Sequence, residues 1–501
     1  MWYGGSSIAA RFINYLLTPL LTYSLANVAD FGKIGLVYSA LPILNIVFTY
    51  GFETAYFRFA SNSDYKNTIY STASLSLFFS TIIFTTLLWF NQSAFGSILG
   101  LQNFPAIIQI SIFIVALDAL TTIPFARLRQ ESRPVKYASV KVGGILVNII
   151  FTWFFISFCP SYLHNHPNSF VSLVYNNGTN PVVYVMLANL FGSLFTLLLL
   201  FSEIKAIRFK FDTRLWKEMM IYSLPLLIAG MGGMINETFD RLMLRWWLPG
   251  SETYREEQVG IYNACYKLSI LITLFIQAFR LGAEPFFFKQ AEGDNPQRVY
   301  ARVMKFFVIT ITVMFLIVSL YIPIWRHFIS PKYWSGLAVV PILLFANMSL
   351  GIYYNLSIWY KLARRTTAGA TITLIGAAIT FLVNAVFIPR FGFMASAWAT
   401  FFCYFSMMVI SFVWGQKVYY VPYAWKKLLA YLVIVLMLFF LHKGVMLLVS
   451  FAVAQGLLNN IISLAFGTVL TAAYFYFVVQ VEKAEFVKIP YLNRLIKTQV
   501  Q

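Results

Sequence analysis

Ionisable side chains inside long apolar segments are the residues of this sequence best suited to chemistry. A charge in the interior of a bilayer is costly, so it usually faces a cavity or a partner. A path lined by cations suits a substrate that carries phosphate, because Arg can clamp phosphate with two hydrogen bonds and Lys acts as a point charge. The ionisable residues in such segments are Arg11, Glu53, Asp118, Lys141, Glu237, Asp240, Arg241, Lys267, Arg280 and Glu284.

These charges do not all have the same interpretation. Asp240 with Arg241, and Glu53 with Arg58, are spaced as structural pairs or interfacial anchors. Lys267 is the deepest cation, and no acid lies within a turn of it on its own segment. It therefore needs a cavity, a substrate or a partner on another segment.

The elements that position these side chains follow from composition. Of the 501 residues, 59% are hydrophobic and only 11% are charged, which is more apolar surface than a soluble protein could bury. We therefore predict an all-α integral membrane protein with fourteen transmembrane helices of about 20 residues each. The seventh and eighth are long and charged, and we expect them to be tilted or broken. The approximate limits are 5–27, 34–57, 70–90, 105–126, 138–158, 181–202, 218–244, 258–288, 303–325, 336–358, 369–389, 393–415, 425–445 and 459–480.

Basic residues are distributed unevenly between the loops on the two sides of these spans, with 26 on one side and 8 on the other. Cytoplasmic loops carry the excess of Lys and Arg in membrane proteins. Both termini are therefore predicted to be cytoplasmic. The same distribution accounts for the net charge of +19, so we expect no nucleic-acid partner although such a charge would suggest one in a soluble protein.

Three short matches indicate an internal repeat in which spans 1–6 recur as spans 7–12. Because six is even, the two copies have the same orientation, and the predicted substrate path lies between them. The matches are Ile13-Asn14 with Ile235-Asn236, the G-x-E-x-x-aromatic-F segments at 51–57 and 282–288, and Leu146-Val147-Asn148 with Leu382-Val383-Asn384. The predicted domains are an N-terminal six-helix bundle at 1–210, a C-terminal six-helix bundle at 211–418, and two additional helices with a cytoplasmic tail at 419–501.

Enzyme motifs are missing from the sequence. It contains no G-x-x-x-x-G-K-[ST], no H-E-x-x-H and no G-x-S-x-G, so ATP hydrolysis through a P-loop, zincin chemistry and nucleophile-elbow chemistry are not expected. The four histidines lie near outer loops or span ends, and the three cysteines are scattered. We predict a transporter without a cofactor or metal, driven by the membrane potential, by a proton or sodium gradient, or by the substrate gradient.

Seven segments carry a family resemblance: SSIAARFINYLLTPLLT, DFGKIGLVYSALPIL, YGFETAYFRFAS, IPFARLRQESRPVKYASVKV, INETFDRLML, QAFRLGAEPFFFKQAE and SIWYKLARRTTAGATITLIGAAITFLVNAVFIPRFGFMASAWAT. In this order they resemble the O-antigen and polysaccharide-unit flippases, which form the lipopolysaccharide-biosynthesis branch of the multidrug/oligosaccharidyl-lipid/polysaccharide exporter superfamily. The resemblance covers nearly the whole chain and is weakest in the last two spans.

The resemblance implies a V-shaped pair of six-helix bundles around a central cavity that works by alternating access. It also implies a bacterial inner-membrane protein that flips an undecaprenyl-diphosphate-linked oligosaccharide from the cytoplasmic to the periplasmic leaflet for an O-antigen-like surface polysaccharide. Glycosyltransferases, a polysaccharide polymerase and membrane lipid would be its partners. In the family the cavity is cationic and meets the diphosphate and acidic sugars.

The positions of this sequence that match such a cavity are Arg11, Arg58, Lys267 and Arg280. Since only Lys267 is deep, the sugar unit is expected to carry little charge. The candidates for coupling or gating are Glu53, Asp118, Asp240, Arg241 and Glu284.

Three alternatives stay open at this point. A lipid II flippase and a cation-coupled multidrug exporter belong to the same superfamily, and the exporter could use intramembrane acids to bind protons or cations. A membrane-embedded polysaccharide polymerase or acyltransferase would use a large outer loop or a His-containing site. The outer loop 159–180 contains His164 and His166 but no acid beside them.

Overall fold

The computed structural model describes residues 2–60, 65, 67–291, 293–363, 365–452 and 456–486. Three parts of the predicted cytoplasmic charge, Lys66, Arg364 and the tail at 487–501, lie outside these residues. Regular structure within them is helical throughout, as predicted, and thirteen helical segments are long and apolar enough to cross a membrane.

The helices up to the second half of the repeat are α1 (Trp2–Tyr15), α2 (Leu17–Ser24), α3 (Val28–Thr49), α4 (Phe52–Ala60), α5 (Ile69–Phe90), α6 (Gln92–Leu99), α7 (Pro105–Gln130), α8 (Pro134–Trp153), α9 (Cys159–Asn165), α10 (Pro181–Leu199) and α11 (Phe201–Lys205). A π-helical turn, Phe154–Phe158, joins α8 to α9, and a short 3₁₀ helix, Phe170–Leu173, follows α9.

The remaining helices are α12 (Thr213–Trp247), α13 (Glu252–Gln290), α14 (Pro296–Ser319), α15 (Ile322–Trp325), α16 (Val339–Leu356), α17 (Ile358–Leu362), α18 (Thr366–Phe391), α19 (Phe393–Val418), α20 (Trp425–Ala452), α21 (Leu457–Val481) and α22 (Lys483–Phe486). Two 3₁₀ helices, Arg326–Phe328 and Pro331–Gly336, precede α16. We call the helix ends that the charge count predicts to be cytoplasmic the basic end, which includes the start of α12, and the other ends the far end, which includes the start of α13.

The first predicted span, 5–27, is divided into α1 and α2 and is not one of the thirteen long segments. Pro19 has no N–H to donate to the carbonyl of Tyr15, so the helical ladder is interrupted there. Leu16 between the two helices keeps a right-handed helical backbone. The two short helices therefore continue in sequence as an interrupted rod.

The prediction that spans 7 and 8 could be broken is not met, since α12 and α13 are continuous over 35 and 39 residues despite Pro225 and Pro285. A 39-residue helix is about 58 Å long, and the hydrocarbon core is about 30 Å thick. Helix α13 must therefore tilt or project beyond the bilayer, and it can carry charged residues at several depths.

Helix contacts follow the predicted repeat. Contacts of α10 with α7 and α8 correspond to contacts of α19 with α16 and α18, and the contact of α1 with α8 corresponds to that of α12 with α18. The packing is therefore that of two similar sets of helices, whereas the exact domain limits at 210 and 418 stay a prediction.

The last two long helices attach to the second set through a buried carboxylate. Glu482, which is 2% exposed, accepts hydrogen bonds from Lys305 of α14 and Tyr431 of α20 and pairs with Lys427. Burial raises the pKa of this carboxyl, but hydrogen bonds from its three partners outweigh burial, so the pKa lies below its ordinary value. The outward faces of these helices expose large apolar side chains such as Phe440 and Phe451, as expected of surfaces in contact with lipid.

Candidate functional site

A cavity of about 360 Å³ lies among α12, α13 and the helices from α16 to α19. Its polar lining includes Glu237, Arg280, Glu284, Tyr354 and Lys361. Because Glu284 and Lys361 lie near the basic end of their helices, the cavity extends toward that end. Its mixture of cations, acids and tyrosines can bind a polar solute.

Two of the four predicted cavity cations meet at this place. The guanidinium of Arg280 lies over the ring of Tyr354, 4.8 Å from its centroid. Arg11 of α1 donates a hydrogen bond to Gln277 of α13, and both arginines interact electrostatically with Tyr354. Both are exposed. Each therefore has donors left to bind an anion with two hydrogen bonds.

Glu237 is exposed and lines the same cavity. Its carboxylate makes no hydrogen bond or ion pair within the described part of the chain, although its backbone carbonyl accepts from Arg241. The sequence places Glu237 inside a span but gives it no role. A carboxylate in this position can accept a hydrogen bond from a substrate hydroxyl or hold a cation.

Lys267 lies in the middle of α13, 15 residues after Glu252, which corresponds to a depth of about 22 Å. It is half-buried, and its ammonium forms no hydrogen bond or ion pair with any residue that the structure describes. Arg241 is close enough to interact with it electrostatically, and this interaction is repulsive. Lys267 is also 13 residues, about 20 Å, from Arg280 along the helix, so the four predicted cations do not form one cluster.

Asp240 and Arg241 form a buried ion pair, 2.9 Å between the carboxylate and guanidinium. Tyr262 donates to the other carboxylate oxygen at 2.6 Å, and Arg241 also donates to Asn263. The guanidinium lies over the ring of Tyr266 at 4.2 Å. With 3% and 6% exposure, both side chains are positioned to join α12 to α13.

Glu53 and Arg58 do not form the pair that their spacing suggests. Glu53 instead pairs with Arg129 of α7, and Arg58 lies over the ring of Tyr222, 4.5 Å from its centroid. The prediction was wrong because α4 places Glu53 against the end of α7, and this tertiary contact cannot be inferred from the sequence spacing. Arg58 lies at the basic end, away from the cavity-lining arginines.

Glu284 pairs with Lys361 at 2.6 Å. This pair and the pair of Glu53 with Arg129 join corresponding spans of the repeat, the second to the fourth and the eighth to the tenth. Asp118 lies instead in the first set of helices, where Ser193 donates a hydrogen bond to its carboxylate at 2.9 Å.

At the far end, α3 and α13 cross in direct contact. A Cβ added at Gly32 would lie 1.9 Å from the carbonyl oxygen of Glu256, and one at Gly260 would lie 2.4 Å from that of Val28. Lys33 pairs with Asp30 at 3.0 Å and with Glu256 at 3.6 Å. The crossing therefore closes the space between the two sets of helices at this end.

Tyr354 and Lys361 were missed as site residues because neither type nor spacing distinguishes them within the sequence. Lys361 was counted in a basic loop, but α17 extends the helical segment and brings it to the cavity. The repeat provides a signal, since Lys361 corresponds to Arg129 as Glu284 corresponds to Glu53. Among the described residues no group of three or more His, Cys, Asp or Glu side chains could hold a metal ion.

Comparison with known proteins gives one family and one fold. Residues 1–289 match the family described as polysaccharide biosynthesis protein. The structure is similar to the lipid II flippase MurJ in its inward closed conformation, with a TM-score of 0.66 and 13% identity over 95% of this chain and 98% of that chain. It is also similar to a multidrug resistance MATE family transporter of the MOP superfamily in its inward-facing conformation, with a TM-score of 0.64 and 12% identity over 83% of this chain and 94% of that chain. No curated protein sequence matches the chain significantly.

The buried pair of Asp240 and Arg241 generates a stability prediction. Asp240→Ala should destabilise the protein by about 3–5 kcal/mol, because it leaves a buried guanidinium without its carboxylate. The matched control is Arg214→Ala, which removes the exposed pair with Glu218 and should cost at most about 1 kcal/mol. Thermal unfolding of the purified full chain in detergent, followed by tryptophan fluorescence, measures both. Equal midpoints for the two variants would contradict a structural role for the buried pair.

Proposed function

Because this chain belongs to the family of polysaccharide biosynthesis proteins, we propose that it is a flippase for an undecaprenyl-diphosphate-linked oligosaccharide. It moves this lipid from the cytoplasmic to the periplasmic leaflet of the bacterial inner membrane by alternating access. The observation that carries the proposal is the series of cations along α1 and α13, with Arg11 and Arg280 beside the cavity and Lys267 deeper in the same helix.

A diphosphate needs more than one cation to offset its charge inside a low-dielectric space. Arg11 and Arg280 meet it first, since they lie nearer the basic end and keep guanidinium donors exposed. Lys267 receives it next, about 20 Å further along α13. The ammonium has no other counter-charge among the described residues, so a phosphate there removes the cost of an unpaired charge.

Alternating access requires that the crossing of α3 and α13 opens after the substrate has entered. The glycines at this crossing let two helices touch without interlocking side chains. The ions around Lys33 can exchange their partners for water when the far end opens, whereas the apolar contacts within each set of helices persist. Whether a proton, sodium or the membrane potential drives the cycle is left open by this mechanism.

Deletion of the gene tests the cargo class directly. Surface polysaccharide should disappear, and oligosaccharide linked to undecaprenyl diphosphate should accumulate in the cytoplasmic leaflet, because synthesis continues while translocation stops. Staining of surface glycan and mass spectrometry of extracted lipids measure the two effects. Normal surface glycan in a deletion strain without a second transporter would overturn the proposal, as would a gene essential for peptidoglycan, which would favour lipid II.

Lys267 should matter for its charge. Lys267→Ala is expected to lower the transport rate roughly tenfold or more, which is what the loss of one hydrogen bond to a charged group implies. Lys267→Arg should retain most activity because it keeps the cation. Translocation of the lipid-linked oligosaccharide in proteoliposomes is the measurement, and Lys443→Ala, which removes an ammonium from α20, is the control. Full activity of Lys267→Ala would exclude Lys267 from the path.

A cross-link at the far end should stop transport reversibly. A Cβ added at Gly35 would lie 3.4 Å from the Cβ of Asn263, near the separation that a disulfide needs. Gly35→Cys with Asn263→Cys should therefore lock α3 to α13 upon oxidation, and reduction should restore transport. Both changes are made in a chain whose three native cysteines are replaced, and the two single variants serve as controls. Undiminished transport by the cross-linked protein would refute opening at this crossing.

A further inference from the structure

A second polar cluster lies in the first set of helices and is not used by the cation path. Its members come from four helices: Tyr38 of α3, Asp118 of α7, Lys141 of α8, and Asn189 and Ser193 of α10. Ser193 donates to Asp118 at 2.9 Å, and Asn189 donates to the hydroxyl of Tyr38 at 3.3 Å. Tyr38 and Lys141 both lie close enough to Asp118 to interact with it electrostatically.

The charges of this cluster keep unused bonding capacity. Only one carboxylate oxygen of Asp118 has a hydrogen-bond partner among the described residues, and that partner is Ser193. Lys141 makes a single hydrogen bond, to the hydroxyl of Tyr137 at 3.4 Å. Asp118 and Lys141 do not form an ion pair with each other. Two neighbouring opposite charges that remain apart inside a membrane leave space for a polar ligand between them.

Asp118 faces the interior of the protein. An apolar groove on the outer side of α7 is lined by Phe113, Ala116, Leu117 and Leu120. At 100° per residue, Asp118 lies about 150° around the helix from the centre of that stripe. Asp118 is nevertheless exposed, so its exposure is to an internal space.

The repeat supports the same orientation. The two equivalent ion pairs align Arg129 with Lys361, an offset of 232 residues. The same offset aligns Asp118 with Leu350, and Leu350 lines the cavity in the second set of helices. Asp118 therefore occupies the corresponding cavity-lining position of the first set.

We infer that this cluster is a subsite for an uncharged sugar residue of the substrate, separate from the cations that hold the diphosphate. The inference rests on the proposed function. The carboxylate of Asp118 accepts hydrogen bonds from sugar hydroxyls, the ammonium of Lys141 donates to sugar oxygens, and the amide of Asn189 can do both. The opposite charges of Asp118 and Lys141 cancel, which suits a neutral sugar and disfavours an acidic one. The ring of Tyr38 supplies an apolar face with a polar tip.

Binding to two lipids tests the subsite. The full chain in nanodiscs is titrated with undecaprenyl diphosphate and with the same lipid bearing one hexose, N-acetylhexosamine or 6-deoxyhexose. The wild-type protein should bind at least one sugar-bearing lipid roughly tenfold more tightly than the bare diphosphate. Asp118→Leu, Asn189→Leu and Lys141→Met should each remove most of that preference and leave affinity for the bare diphosphate unchanged.

Matched variants separate the two proposals. Lys267→Ala should weaken binding of both kinds of lipid equally, because it acts on the diphosphate. Gln109→Leu removes a polar side chain of α7 outside the cluster and should change neither affinity. A wild-type protein that binds none of the lipids would overturn the proposed function and this inference with it. A protein that binds all of them equally, or cluster variants that keep the sugar preference, would overturn the subsite alone.

One further variant tests the role of Asp118 in ion coupling. Asp118→Asn keeps a hydrogen-bond acceptor, so it should lose less of the sugar preference than Asp118→Leu. If Asp118→Asn stopped transport while binding of every lipid stayed at the wild-type level, Asp118 would belong to coupling and the sugar subsite would be refuted.

Discussion

The contact between α3 and α13 at the far end is the constraint on which the remaining arrangement depends. Gly32 and Gly260 let the two backbones approach so closely that a single Cβ at either position would collide with a carbonyl oxygen. Small residues permit such crossings in membranes, where no hydrophobic driving force acts between helices. Because the two sets of helices touch here, the charged cavity lies nearer the opposite, basic end. The ion pairs of Lys33 then stabilise a contact that the glycines make possible.

Within each set of helices a different ion pair holds the basic end. Glu53 with Arg129 and Glu284 with Lys361 join equivalent spans, and in both pairs the side chains are partly exposed. Partly exposed pairs add little stability, but they fix the spacing of the helices around a polar space. Movement is therefore expected between the two sets, at the α3–α13 crossing, with each set keeping its internal packing.

Sequence was sufficient for the helices because long apolar stretches are a strong signal in membrane proteins. It failed where a local backbone effect or a distant contact decides. Pro19 divides the first span, while Pro225 and Pro285 leave α12 and α13 continuous. The partner of Glu53 lies 76 residues away in the chain, and spacing alone cannot identify it. Lys267 was identified correctly as lacking an acid nearby, because its own helix contains none within a turn.

The repeat also separates residues that serve the fold from those proposed to serve the substrate. Both acids of the basic-end pairs are present in both halves, at an offset of 231 residues. At the same offset Lys267 corresponds to Leu36, which is fully buried in the core. Asp118 corresponds to Leu350, and Arg11, at the offset of its own span, to Gly233. A symmetric scaffold does not need a charge in only one half, and such a charge is expensive in a bilayer. The unpaired charges are therefore best explained by a cargo with two unlike ends, one anionic and one neutral.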